Sequence, residues 1–153
     1  MIRIKDKVIL GIAAGTLANI IVSVIDIIFY KLNVNKYIHF HIAASAYFLE
    51  SDVHTLPALI VGIISDFTIA AFLGILIVYI LFVTGTDYFY LKGLIVVLVF
   101  WLFIYGIILR LKIARIDPID AGTNLVHLST HIMLGLITSW FIKKHGIPAN
   151  KNT

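Results

Sequence analysis

The chain is 153 residues long, 61% hydrophobic and only 13% charged, with a mean hydropathy of +1.04. Soluble domains are about half apolar and a quarter charged, so a water-soluble globule is excluded and residues 1–153 are expected to form one polytopic membrane domain. The net charge of +4 is spread over the ends of apolar runs and forms no patch, which points to anionic lipid headgroups and away from nucleic acid. With no cysteine, disulfides, thiolate metal sites and thiol catalysis are excluded.

The first apolar run, about residues 8–30, follows Arg3, Lys5 and Lys7. It is longer than a signal-peptide core and no small-x-small cleavage site follows it, so it reads as a retained span. Gly11 and Gly15 form a GxxxG step that lets another helix approach closely. Asn19 and Asp26 are its polar residues.

Residues 31–55 form the one sizeable loop, mixing His39, His41 and His54 with Tyr37, Phe40, Tyr47 and Phe48. Aromatic residues of this kind favour the boundary between water and lipid, and a short interfacial helix or an extension of a span is expected there. The three histidines read as interfacial polar groups and not as ligands.

A second span opens at Pro57 and runs to about residue 83, with Asp66 inside it. After a turn at Gly85-Thr86-Asp87, a third span covers about 90–109, rich in aromatics and free of ionisable groups in its interior. That pattern predicts the most lipid-exposed helix or a purely structural one. Arg110, Lys112, Arg115, Asp117 and Asp120 form a second polar connection, which Asp117-Pro118 breaks. Asp120 or Thr123 can cap the fourth span, about 124–142.

Four spans put both termini on one side. That side carries Arg3, Lys5, Lys7, Lys92, Lys143, Lys144 and Lys151, against Lys31, Lys36, Arg110, Lys112 and Arg115 on the other. The positive-inside rule then predicts a multi-pass cell-membrane protein with both termini cytoplasmic.

His127 and His131 are four residues apart in the fourth span, so a helix stacks them on one face. Ionisable groups at membrane depth are costly, and they face the bundle interior. In this topology Asp26, Asp66, His127 and His131 all fall in the outer half of the membrane, with Asp66 and His131 at nearly equal depth. Together they form the candidate site for a ligand or a proton, and His127, His131 and Asp66 are the candidate ligands of a divalent metal.

Hydrolytic chemistry ranks low: Leu128 stands where H-E-x-x-H needs glutamate, and Ser129 points away from both histidines. A bis-histidine haem needs ligands from opposite faces, so it requires a second chain.

The layout resembles small four-span bacterial inner-membrane proteins of the YqhR and YagU type. The resemblance rests on a Gly/Ala-rich first span (GIAAGTLANI), a longer loop before the second, an aromatic third span (LVFWLFIYGII) and a last span with HIMLG. It implies a bacterial inner-membrane location and no particular activity.

The fold expected is therefore an all-α, integral membrane bundle of four transmembrane helices. The leading function is an outward-facing intramembrane Asp/His site for a metal cation, protons or a small polar ligand. The alternative is a non-catalytic accessory or scaffolding subunit, or a homo-oligomer, in which the GIAAG and Ala70–Gly74 small-residue steps contact other chains. An enzyme ranks below both.

Overall fold

The computed structural model describes residues 4–109, 111, 116 and 120–146. Arg3, Arg110, Lys112, Arg115, the Asp117-Pro118 break and the tail after Gly146 lie outside the described residues. Within them every regular element is helical, and four helices are long and apolar enough to cross a membrane.

The elements are α1 (Lys7–Lys31), α2 (His39–Ala44), a 3-10 turn (Glu50–Asp52), α3 (Leu56–Thr84), α4 (Phe89–Phe103) continuing as a π-helical turn (Ile104–Ile108), and α5 (Ala121–His145). At about 1.5 Å per residue, the 25 residues of α1 and α5 and the 29 of α3 each exceed a hydrocarbon core of about 30 Å.

Local chemistry sets the ends. Asp6 accepts from the Ile9 N–H at the start of α1, and Asp120 accepts from the Thr123 N–H at the start of α5. Pro57 lies in the first turn of α3, where its missing N–H costs nothing. The last carbonyls of α3 are met by Lys92 Nζ, which donates to Thr84 and Gly85 oxygens at 2.9 Å.

Helix α1 packs between α3 and α5, α4 packs mainly on α5, and α2 lies against α3. One stripe of α1 is buried along its whole length: Leu10, Gly11, Ala14, Gly15, Ala18, Asn19, Val22, Ser23 and Asp26. Towards the termini the stripe is apolar and joins Leu73, Ile77, Leu81, Val97 and Ile142 in the main core. Towards the loop end it turns polar and meets His127 and Thr130 of α5. The bundle thus has an apolar half and a polar half.

Small residues bring α1 and α3 together. A Cβ built on Gly74 would run into the carbonyl oxygen of Gly11, and one built on Gly15 into that of Ala70. The GIAAG and Ala70–Gly74 steps therefore pack on each other within the chain, and neither is left as a face for another subunit. Gly62 plays a similar part under α2, where a Cβ would meet the Phe40 carbonyl.

Helix α4 is the least covered span: of its residues only Gly93 and Val97 are buried. The hydroxyls of Thr68, Thr84 and Ser129 bond to carbonyls four residues back, which satisfies them on surfaces that face lipid.

Gly74→Leu is expected to force α1 and α3 apart and lower stability by about 1–3 kcal/mol, the range for overpacking a tight contact. Thermal unfolding in mild detergent measures it, with Gly106→Ala as the control, because no atom lies within 4 Å of a Cβ at Gly106. Equal midpoints for the two variants would refute the close α1–α3 contact.

Candidate ion-binding site

Asp26 is 1% exposed, one and a half turns before the end of α1. Beyond that end the chain reverses at Asn33, whose φ of 57° is left-handed, a conformation asparagine tolerates better than most residues. The reversal is closed by Asn33 N–H to Tyr30 O and Val34 N–H to Phe29 O, both 3.0 Å. It carries Asn35 and His39 back over the carboxylate.

Three donors hold that carboxylate. Asn35 Nδ2 donates to Oδ1 at 2.8 Å, and the backbone N–H of His39 donates to Oδ2 at 2.7 Å. The ring Nδ1 of His39 lies 2.8 Å from the same Oδ2. From α5, His127 Nε2 approaches Oδ1 at 3.2 Å.

His39 is held in place from both sides. Its Nε2 is 3.3 Å from Thr130 Oγ1, and that hydroxyl donates its own proton to the His127 carbonyl at 3.0 Å. Thr130 can therefore only accept from His39, and both ring nitrogens of His39 face acceptors, the arrangement of an imidazolium. Burial opposes the charge, but the hydrogen bond and attraction of Asp26, with Asp66 adding, outweigh it and raise the His39 pKa above 6.5.

His127 is fully buried and lies in a different setting. Its Nδ1 is 2.6 Å from the Tyr105 hydroxyl. Its Nε2, although near Asp26, is off the hydrogen-bond direction and has no hydrogen-bond partner. Asn35 Oδ1 is also buried without a partner. Orphaned polar atoms are rare in native interiors, and two of them flank one carboxylate here.

The four residues singled out from the sequence are thus placed in two layers. Asp26 and His127 meet in the layer nearer the loop end with His39, each offering one ligand atom, all within 4.8 Å of one another. Asp66 and His131 lie deeper and line one small cavity together. Asp66 is paired with Asn19, whose Nδ2 donates at 2.6 Å, and His131 Nδ1 donates to the His127 carbonyl at 2.7 Å. The i, i+4 stacking of His127 and His131 therefore ends in a ring-to-carbonyl bond along α5 and not in a shared ligand position.

Two participants are not marked by the sequence pattern. His39 lies in a loop whose histidines read as interfacial, yet it bridges Asp26 and Thr130. Tyr105 belongs to the third span, whose pattern predicts a most lipid-exposed or purely structural helix; the span is indeed the least covered, yet the Tyr105 hydroxyl bonds His127. Tyr105 sits in the π-helical turn, where Leu109 N–H bonds Ile104 O across five residues at 3.0 Å. That wide turn shifts the register of the helix end. The remaining loop histidines form a separate aromatic group: His41 and His54 rings are 4.3 Å apart beside Tyr37, and burial together with His54 lowers the His41 pKa to about 4.

The rings of His39 and His127 stack at 4.2 Å with 28° between their planes, which leaves no room for a porphyrin between them. Their spacing suits a single ion. Two tetrahedral bonds of about 2.1 Å place their donor atoms roughly 3.4 Å apart. The Asp26–His127 separation of 3.2 Å is close to that value.

Asp26→Asn keeps the side-chain shape and removes the charge that collects these donors. It is expected to cost about 3 kcal/mol, the scale for breaking a buried pair, and to speed amide exchange across residues 35–41. Exchange in that segment equal to wild type would show that something else holds the loop.

No protein family, curated protein or solved structure matches the chain.

Proposed function

We propose that this chain is a multi-pass cell-membrane protein that binds one divalent transition-metal ion of the zinc class through Asp26, His39 and His127. The observation that carries the proposal is the fully buried His127 Nε2, which has no hydrogen-bond partner and lies 3.2 Å from a carboxylate oxygen. When Nδ1–H donates to Tyr105, Nε2 carries a lone pair and no proton, and two acceptors 3.2 Å apart are reconciled by a cation that both can reach.

The donor set of two imidazoles and one carboxylate suits borderline ions such as Zn²⁺ better than hard ones. Tyr105 on the far nitrogen of His127 and Thr130 on that of His39 are the orienting partners that metal-bound histidines require. Asn35 Oδ1 or a water molecule completes the fourth position. Binding at His39 takes the place of its proton, so metal uptake releases protons.

The excess of Lys/Arg at the termini end supports a cytoplasmic placement of both termini. The cluster then lies nearer the outer face. Asp26 is about 8 Å from the end of α1 and His127 about 9 Å from the start of α5. The loop with α2 lies over it at the lipid–water boundary. The accessory-subunit reading keeps less support, because the small-residue faces it relied on are filled within the chain.

Titrating the detergent-purified, metal-free protein with Zn²⁺ against a competing chelator tests the proposal. One ion per chain is expected, with affinity falling at least about 100-fold in His127→Ala and His39→Ala, and little changed in His131→Ala. Wild-type protein that binds no Zn²⁺, or variants that bind like wild type, would refute it.

A further inference from the structure

Asp26, His39 and His127 form a site with no open approach. Asp26 is 1% exposed, His127 not at all, and the His39 side chain 11%. On the side of the termini the apolar core, with Leu73, Ile77, Val97 and Leu134, closes the bundle. Crossing that core, or the hydrocarbon around it, is strongly unfavourable for an ion, so an ion must arrive at the loop end. The cover there is residues 33–38, which join α1 to α2 and belong to no helix.

These residues form a strap with a pivot at each end. Asn33, at φ 57°, turns the chain at one end, and extended Ile38 leads into α2 at the other. Beyond the pivots the chain is fixed: α1 is packed in the bundle, and the Phe40 carbonyl of α2 lies where a Cβ on Gly62 of α3 would meet it. Between them the strap crosses the first turn of α5. The Lys36 N–H donates to Thr123 Oγ1 at 2.9 Å, and a Cβ on Gly122 would come within 2.4 Å of the Val34 carbonyl oxygen. Tyr37 adds a hydroxyl bond to the exposed Glu50 at 2.7 Å. Val34 and Lys36 are exposed, so the strap is one layer thick. Asn35 is buried between them and lays its amide on Asp26 Oδ1, the oxygen 3.2 Å from His127 Nε2. Asn35 thus covers the one carboxylate oxygen that an ion shared with His127 must reach.

We infer that residues 33–38 are the gate of the metal site. The strap swings off the start of α5 by releasing its latch on Thr123, Asn35 leaves the carboxylate with it, the ion reaches Asp26 and His127, and the strap closes over it. The inference rests on the metal reading above and concerns how fast the ion binds, not how tightly. A segment held by a few hydrogen bonds opens without the rest of the fold, whereas α1 and α5 move only with the core. Binding that waits on such an opening has a rate ceiling.

Stopped-flow loading of the full chain with Zn²⁺ in mild detergent, and release of the bound ion to excess chelator, test the gate. In wild type the loading rate should level off as Zn²⁺ is raised. Thr123→Val removes the acceptor of the latch and should raise that ceiling and the release rate together, by roughly 3- to 10-fold for one lost hydrogen bond, with equilibrium affinity unchanged. Gly122→Ala pushes the Val34 carbonyl away and should act in the same direction, which covers the case in which Thr123→Val does not fold. A loading rate proportional to Zn²⁺ without a ceiling, a ceiling that neither variant raises, or weaker binding without faster loading would overturn the gate and leave the site standing. Wild type that binds no Zn²⁺ at equilibrium would remove the site, and the gate with it.

Discussion

A single buried carboxylate organises the loop end of this molecule. Asp26 gathers the Asn35 amide, the His39 N–H and the His39 ring within 2.8 Å, and brings His127 to 3.2 Å. The carboxylate belongs to α1 and its partners to the reversing loop, α2 and α5, so one anion ties together four segments of the chain. An ionised carboxylate left unpaired inside a bundle would be strongly unfavourable. The loop that satisfies it is therefore part of the folded core and not a decoration on its surface.

The other half of the bundle explains how this polar chemistry is tolerated. At the termini end, glycine and alanine let α1 and α3 meet backbone to backbone, and the main apolar cluster fills the space around them. Close contact there fixes the relative heights of Asn19 on α1 and Asp66 on α3, which then meet at 2.6 Å. Thr123 does the same at the mouth: it accepts from the Lys36 N–H and donates to Asp120, joining the loop to the start of α5. Its N–H and hydroxyl hold the Asp120 carboxyl below its ordinary pKa.

The four spans were legible because length and hydropathy alone define them, and the caps at Asp120 and Pro57 were legible from local chemistry. Asp26, Asp66, His127 and His131 stood out because ionisable residues in apolar runs are few. Which of them meet could not be read. That pairing depends on a left-handed turn at Asn33, which folds His39 back over Asp26 with no periodic relation between the two. Tyr105 was hidden for a similar reason: a π-helical turn changes the facing of the residues within it, and the aromatic run around it carries no mark of that change.

The termini end of the bundle carries a row of cations resting on aromatic rings: Lys7 over Phe82 at 3.1 Å, Lys143 over Phe89 at 4.3 Å and Lys144 over Trp140 at 4.5 Å. Such pairs hold their helices at a fixed level relative to the headgroups. Any mismatch between the long helices and the surrounding bilayer is then absorbed at the opposite end, by tilt or by local deformation of the lipid. That end is where Asp26, His39 and His127 lie. Membrane thickness, a property of the lipid and not of the protein, thereby bears on the packing around the Asp26 carboxylate.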